Sequence, residues 1–410
     1  MKRVLNIIII LILFSISGRT QTLEEYFRIA AEKNPGLQSK YMEFEAALKK
    51  IPQVNTLPDP GISFGYFISP VETRVGPQRA RVSLTQMFPW FGTLEARGDA
   101  ASYTAEAKYQ AFLQARNELF YKVASAYYPV FELERWKKIE YENYELLKTF
   151  KRVATDKFEN GNGALVDILR VDLHMNESRT DLEILKKKEK SLISTFNNLL
   201  NREDSIEVTM EDTLLIQSQN NYRSKDSIME NHPLLKQLDL KTQASIASQS
   251  AINKEAMPKI GLGLDYVIVG KRNDISLSEN GKDILMPMVS VTLPIFRKKY
   301  NAAVEEQIIM QESYQLKKQD MMNSLNAEYE SAWFQLERSL EDYNLYSKQV
   351  EENQRILKLL LSAYSNKGSD FEELLEVQQQ NLKYEKMLIT AKIQYHIAVA
   401  RLNYITAKNY

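Results

Sequence analysis

The sequence predicts a mostly helical α+β chain built from two copies of one helix–hairpin–helix unit. Three observations support this fold class. A turn motif occurs twice, about 206 residues apart, and two pairs of segments alternate apolar with polar residues. In addition, two long stretches are charged, helical in pattern and almost free of glycine. A sequence that repeats itself at half its length consists of two related units.

The repeated turn occupies residues 158–169 in the first half and 364–375 in the second. Each copy has an aromatic residue, a glycine turn, and an acidic residue directly before two aliphatic residues. Each following helix has a seam spaced alternately by three and four residues, as in a coiled coil, with Glu189 breaking the apolar pattern in the first copy and Tyr395 at the same position in the second. These seams are Leu182, Leu185, Leu192, Phe196 and Leu199, and Leu388, Ala391, Ala398, Leu402 and Ile405. The alternative is two unrelated amphipathic helices, but the register of the seam and the position of the glycine turn both match between the two halves.

Residues 1–18 have the pattern of a secretory signal peptide, with two basic residues, an apolar run and small residues. A transmembrane anchor is the alternative, but the run is shorter than the roughly 20 apolar residues a spanning helix needs. We expect cleavage near Ser17 or Gly18, and a mature protein beyond the inner membrane. Because the chain has no cysteine, it is not expected to be a lipoprotein.

The composition argues against several classes of function. The 53 basic and 53 acidic residues balance, whereas a nucleic-acid-binding protein needs a basic surplus. Without cysteine there are no disulfides, thiolate metal sites or cysteine nucleophiles. The three histidines, His174, His232 and His396, stand singly, and no nucleophile–base pair or phosphate loop is apparent. We therefore expect no metal site, no cofactor and no enzymatic activity.

The first helix is expected over residues 22–54, with Thr22 as its cap, and its counterpart over 227–256. After each helix the apolar period changes from 3.6 to 2, which predicts two hairpins. The strands are expected at about 61–69, 80–88, 259–269 and 286–294, joined by polar loops at 70–79 and 271–285. Strands of this length cross a bilayer when tilted, although a soluble half-buried sheet would show the same alternation.

Two long helices are expected over residues 92–160 and 297–367, with Pro129 as a candidate joint in the first. Each would be about 105 Å long. Returning helices are expected at 165–201 and 371–408. A polar linker at 202–226 is expected to lie across the outside of the bundle. The domain organisation is therefore a first repeat at 19–201, this equatorial linker, and a second repeat at 227–410.

Four strands cannot close a membrane barrel, since the smallest bacterial barrels have eight, and open sheet edges cannot face lipid. The chain must therefore combine with copies of itself. Two copies give eight strands and three give twelve, and the larger barrel leaves a channel. Helices this long exceed the bilayer and are expected to continue into the periplasm as a coiled tube.

With these features the chain resembles the outer-membrane efflux proteins, the TolC-like channels. The resemblance rests on the duplicated layout, the Asn34-Pro35 pair, the strand entry at 57–60, the exit of the second strand at 86–92, and the two glycine turns. It implies a homotrimer with a twelve-stranded outer-membrane barrel and a helical periplasmic tunnel. It also implies a passive exit duct that docks a periplasmic adaptor and an inner-membrane pump of RND or ABC type. The loop 71–78 is most similar to the heavy-metal-efflux (CusC/CzcC-like) branch.

The resemblance also assigns roles to residues near the repeated turns. Adaptor docking is implied at the two tips, Gly161, Asn162 and Gly163, and Asn366, Lys367 and Gly368, which could equally be ordinary helix–helix turns. A pore constriction matches Glu373 and Glu376, whose three copies would form a cation-selective ring, with a solvated helix face as the alternative. Asp167 and Tyr364 match a pair that holds the entrance shut. Its usual basic partner is not evident, and Lys367 is the candidate.

Two further functions stay open. The same fold serves as the exit duct for type I protein secretion, and the sequence does not separate that function from efflux. A non-channel periplasmic coiled-coil scaffold is the third hypothesis, although it has no need of four alternating strands. The substrate and the pump are not specified by the sequence.

Overall fold

The computed structural model describes residues 22–216, 232–274, 276, 278–365 and 371–407. The expected signal peptide at 1–18 and the second tip, Asn366, Lys367 and Gly368, lie outside the described residues.

The N-terminal segment forms three helices, so the prediction of one helix over residues 22–54 is wrong. They are α1 (Leu23–Lys33), α2 (Pro35–Leu48) and α3 (Lys50–Val54). Thr22 caps α1 as predicted, since its side chain accepts a hydrogen bond from the Glu25 amide. The first helix ends at Asn34, which is extended, as the residue before a proline tends to be. The Asn34 side chain stabilises this break by accepting from the Leu37 amide at 3.1 Å.

The four strands form one antiparallel sheet in the order β1-β2-β3-β4. Their bounds are Gly61–Val71, Gln78–Phe88, Lys259–Val269 and Ile284–Thr292. All four predicted strands are present, and β4 begins two residues before the expected position 286. Pro70 and Pro287 lie within β1 and β4, which are the edge strands, where a missing amide donor is tolerated.

The two long helices are continuous and nearly equal in length. Helix α4 (Thr93–Glu159) has 67 residues. It is followed by α5 (Leu165–Leu199) and α6 (Pro233–Glu255). The second long helix, α7 (Lys298–Ser365), has 68 residues. The chain returns through α8 (Phe371–Ile405).

The predicted joint at Pro129 is wrong, because α4 continues through it. Proline removes one amide donor, but packing holds the helix on both sides of it. Tyr128 stacks on His396 with ring centroids 5.3 Å apart, and Val130 and Phe131 are buried.

The chain divides into two compact units that cut across the sequence repeats. The first contains the described parts of Met1–Ser39, Leu113–His232 and Met322–Tyr410, and the second contains Lys40–Phe112 and the described parts of Pro233–Met321. Each unit therefore takes segments from both repeats. The second unit holds the whole sheet, whereas the first holds both helices that follow the repeated turns.

The first unit has an aromatic core that joins α1, α4 and α5. Tyr26 meets Phe196 edge to face at 4.9 Å, and Tyr127 lies 5.9 Å from Tyr26. The ten predicted seam residues are all buried or half-buried. The described part of the linker, residues 202–216, packs on this core, where the carbonyl of Thr209 accepts from the Tyr26 hydroxyl at 2.9 Å and Val208 is buried. These contacts fix the linker to the unit.

Two histidines in the first unit make its stability depend on pH. His232 is fully buried and His396 is half-buried. Burial lowers the pKa of each to about 4, with Lys392 adding to the effect on His396. Between pH 6.5 and 4 these histidines are protonated in the unfolded chain but remain largely neutral in the folded chain. The free energy of unfolding therefore falls as pH falls through this range. Each histidine is expected to lower the free energy of unfolding by about 3 kcal/mol at pH 4 relative to neutral pH.

The measurement is the free energy of unfolding in detergent at pH 7 and pH 4.5. His396→Phe keeps the ring stack on Tyr128 and is expected to remove a large share of the difference. His174→Gln is the matched control, because His174 pairs with Glu177 at the surface and should leave the difference unchanged. An unaltered pH dependence in His396→Phe would contradict the account.

Candidate functional site

The sheet has one continuous apolar face. Strand register places Phe64, Val82, Tyr266 and Leu285 in one row across all four strands. Phe64 is 70% exposed and Leu285 is 62% exposed. Further exposed apolar side chains of this face are Ile62, Ile68, Leu84, Leu262, Leu264, Val289 and Val291. A patch of this extent on a sheet is typical of a surface that meets a membrane or another protein.

The opposite face of the sheet carries polar and charged side chains. The neighbouring row consists of Ser63, Ser83, Asp265 and Met286. Asp265 is fully buried and pairs with Arg81, whose Nε also donates to the Ser83 hydroxyl at 3.2 Å. An apolar outer face and a polar inner face are the two sides of a membrane barrel wall.

The outer strands of the sheet are β1 and β4, and within the described chain each pairs with one neighbour only. Their outer edges therefore carry unpaired backbone N–H and C=O groups. Such an edge is a template for another strand, and in lipid it must be paired. The sheet is thus incomplete as it stands in one chain.

The first repeated turn joins α4 to α5. Gly161 adopts a φ of 71°, and the Asn162 amide donates to the Lys157 carbonyl at 2.8 Å, which closes the end of α4. Gly163 has no room for a side chain, because a Cβ there would lie 2.9 Å from the backbone nitrogen of Phe158. Directly after the turn α5 exposes an apolar stripe, Leu165, Leu169 and Leu173.

Tyr364 and Asp167, predicted as a pair, lie in one region of the first unit. Tyr364 is buried with its ring 4.7 Å from that of Phe371, within a cluster that includes Phe150, Val171 and Leu374. Burial, and then the charge of Asp167, raise the pKa of the Tyr364 hydroxyl. That hydroxyl has no hydrogen-bond partner among the described residues.

Lys157, a basic residue not predicted as part of this pair, contacts Tyr364. Its Nζ donates to the backbone carbonyl of Tyr364 and lies 4.1 Å from the centre of the Tyr364 ring, a cation–π contact. Lys157 directly precedes the first repeated turn, but the repeat places Ala363 at the equivalent position of the second copy. The repeat therefore gave no indication that Lys157 contacts Tyr364. An ion pair also joins α5 to α8, with Arg170 Nη2 lying 2.8 Å from Glu372 Oε2.

Glu373 and Glu376 are both exposed at the start of α8. They lie three residues apart, and so on one face of the helix, whereas Leu374 and Leu375 between them are buried in the Tyr364 cluster. The carboxylates therefore point away from the unit's own core.

Among the described residues no group of histidine, cysteine and carboxylate side chains could hold a metal ion. In that part of the chain no helix is both long enough and apolar enough to span a membrane.

The family model for the outer membrane efflux protein matches residues 226–408. The match lies in the second half of the chain. This match agrees with the resemblance to outer-membrane efflux proteins seen in the sequence. No curated protein matches the chain.

Solved structures extend the fold match beyond the efflux protein domain to 94% of the chain. CmeC, an outer membrane channel from Campylobacter jejuni, is 14% identical, with a TM-score of 0.73 over 85% of its length. MtrE of Neisseria gonorrhoeae, solved in the open state, is 18% identical with a TM-score of 0.71 over 88%. CusC is 13% identical with a TM-score of 0.75 over 91%. The three match about equally well, so the heavy-metal branch is not singled out.

Proposed function

We propose that the chain is one subunit of a homotrimeric outer-membrane efflux channel, which extends into the periplasm and acts as a passive exit duct. The observation that carries the proposal is the sheet itself. It exposes an apolar face, turns an ion pair to the other side, and leaves both edge strands open. Three copies give twelve strands, which close all edges and leave a lumen. A soluble scaffold would have no use for such a sheet.

The proposed activity is tested by reconstitution in planar lipid bilayers. Purified protein is expected to give discrete, long-lived conductance steps that require no nucleotide. As a matched control, Phe64→Arg, which places a charge on the apolar face, should give no steps. Absence of steps from the unaltered protein, with native circular dichroism, would overturn the channel proposal.

The acidic residues of α8 are proposed to set ion selectivity. Three copies of Glu373 and Glu376 would place six carboxylates around the pore, a charge arrangement that favours cations. Glu373→Gln with Glu376→Gln is expected to move the reversal potential in a KCl gradient most of the way to the non-selective value. Glu372→Gln is the control, because Glu372 already pairs with Arg170. An unchanged reversal potential in the double variant would remove both residues from the pore.

The contacts around Tyr364 are proposed to hold the entrance closed. Asp167→Ala with Tyr364→Phe is expected to raise single-channel conductance, because it removes the Asp167 charge that acts on the Tyr364 hydroxyl. Lys157→Met is expected to raise it further, because it removes the hydrogen bond and the cation–π contact with Tyr364. Lys148→Met is the control, since Lys148 makes an exposed pair with Glu145 on the same helix. Conductance equal to that of the parent in all variants would exclude a latch here.

Docking of a periplasmic adaptor is proposed at the repeated turns. The support is the exposed first turn, Gly161, Asn162 and Gly163, with the apolar stripe of Leu165, Leu169 and Leu173 beside it. An inner-membrane pump of RND or ABC type would drive transport through the adaptor. Type I protein secretion would use the same duct, and the pump that co-purifies with cross-linked protein decides between efflux and secretion.

A further inference from the structure

Three asparagines of the chain are followed directly by glycine: Asn160, Asn162 and Asn280. Such a pair is prone to lose ammonia near neutral pH, because the backbone nitrogen of the glycine can attack the side-chain amide of the asparagine. Glycine has no Cβ to hinder that attack. The reaction needs a side chain that can move and a backbone amide that can lose its proton. The structure gives the three pairs different hydrogen bonds in both respects.

The pair at Asn280 is held by hydrogen bonds on both of its residues. Asn280 Oδ1 accepts from the Arg272 amide and Nδ2 donates to the Arg272 carbonyl, both at 2.8 Å. The Gly281 amide, which contains the attacking nitrogen, donates to the Val75 carbonyl at 2.6 Å. An N–H that donates a hydrogen bond is held in place and keeps its proton more firmly. This pair is therefore protected in the folded protein.

The pair at Asn160 lies in the first repeated turn, where Asn160 is exposed. It still has part of the same protection. The Gly161 amide donates to the Phe158 carbonyl at 3.0 Å, and Asn160 Nδ2 donates to the Asp156 carbonyl at 2.7 Å. Attack on this side chain requires both hydrogen bonds to break first.

The pair at Asn162 differs in the attacking group. Within the part of the chain that the structure describes, no backbone carbonyl accepts a hydrogen bond from the Gly163 amide. Asn162 is exposed, and its Nδ2 makes one hydrogen bond, to the Asn160 carbonyl at 3.1 Å. Of the three glycine nitrogens, that of Gly163 is therefore the one most ready to lose its proton and attack.

We propose that Asn162 is a site of spontaneous deamidation in the folded protein. The Gly163 nitrogen gives its proton to hydroxide or water and attacks Asn162 Cγ. The new N–Cγ bond forms, the Cγ–Nδ2 bond breaks, and ammonia leaves with a proton from the solvent. Water then opens the resulting succinimide ring at either of its carbonyls, which leaves aspartate or isoaspartate at position 162. The sum is hydrolysis of one amide, without oxidant or reductant.

The product adds a negative charge to the first repeated turn, next to a last turn of α4 that already contains the exposed Asp156 and Glu159. Isoaspartate also lengthens the backbone by one methylene. An adaptor docked at this turn would therefore meet a surface in aged channels that newly made channels lack. That consequence rests on the docking role proposed above, whereas the chemistry at Asn162 does not depend on docking or on channel activity.

The test uses the full chain, purified and folded in detergent and kept in mildly alkaline buffer for several days. Samples are digested at acidic pH, where the reaction is slow, and each peptide is mapped by mass spectrometry. Replacement of an amide by a carboxylate gives the mass change, and methylation by an isoaspartate methyltransferase detects isoaspartate. Asn162 is expected to react at least about tenfold faster than Asn160 or Asn280, because each hydrogen bond that must break raises the barrier.

The denatured chain is the matched control, because it keeps the same three Asn-Gly pairs and loses their hydrogen bonds. In denaturant the three rates are expected to become nearly equal. Asn162→Gln, which lengthens the side chain by one methylene, should abolish the mass change at position 162 and leave the other two sites unaltered. Folded protein in which Asn162 does not react, or reacts no faster than Asn160 and Asn280, would overturn the proposal. An equal advantage of Asn162 in denaturant would also overturn it, because local sequence rather than the fold would then set the rate.

Discussion

Phe64→Arg is expected to prevent the protein from accumulating in the outer membrane. Phe64 lies on β1 in the apolar row of the sheet and is 70% exposed, so in a barrel it meets lipid. An arginine at the centre of the lipid face costs about 2–4 kcal/mol per copy, and a trimer would carry three copies. The measurement is the fraction of the protein recovered in the outer membrane after separation of the two membranes.

Ser63→Arg is the matched control, because Ser63 is the adjacent residue and faces the polar side of the same strand. A lumenal charge is solvated, so this variant is expected to insert as the parent does. If both variants inserted equally well, the two faces would not be a lipid side and a lumen side, and the sheet would need another explanation.

Lys386→Met is expected to destabilise the first unit by about 3–5 kcal/mol. Lys386 pairs with Glu140, which is 1% exposed, and lies 3.6 Å from Asp181. Removing the lysine leaves the Glu140 carboxylate buried without its cation. The free energy of unfolding, measured by denaturant titration in detergent, reports the loss.

Two further variants separate a buried pair from an ordinary one. Glu140→Leu combined with Lys386→Met removes both charges and should recover most of the lost stability. Lys186→Met breaks the exposed pair with Glu183, 2.9 Å long, and should cost less than about 1 kcal/mol. A single-variant loss as small as that of Lys186→Met would show that the Glu140 site is hydrated.

The large elements were predictable because their signals are long and repeated. Each long helix has more than sixty-five residues without an internal stop, and the strands alternate over nine to eleven positions. The break at Asn34 was not predicted, because the apolar pattern continues through it and outweighs the extended conformation that Pro35 favours at the residue before it. Pro129 gave the opposite error: a break was predicted where the helix is continuous, since packing compensates for a single missing amide donor.

The site was predictable only in part. The resemblance assigned roles to Tyr364, Asp167, Glu373 and Glu376, and these roles stay predictions; the structure shows that all four lie near the repeated turns. Lys157 was missed, since its contact with Tyr364 joins residues 207 apart and depends on how α4 and α7 pack. The hydrogen bond between Gln378 and Asn143 was missed for the same reason, because these residues come from separate helices, and a buried amide in a helical pattern looks like an exposed one.

The most direct test of the central claim is the native mass of the protein extracted from the outer membrane in mild detergent. The account predicts three copies of the 47.5 kDa chain, less any cleaved signal peptide, because three copies complete a twelve-stranded barrel. A monomer would leave the edges of β1 and β4 unpaired in lipid and would contradict the account. A dimer would give eight strands without a channel and would contradict it equally.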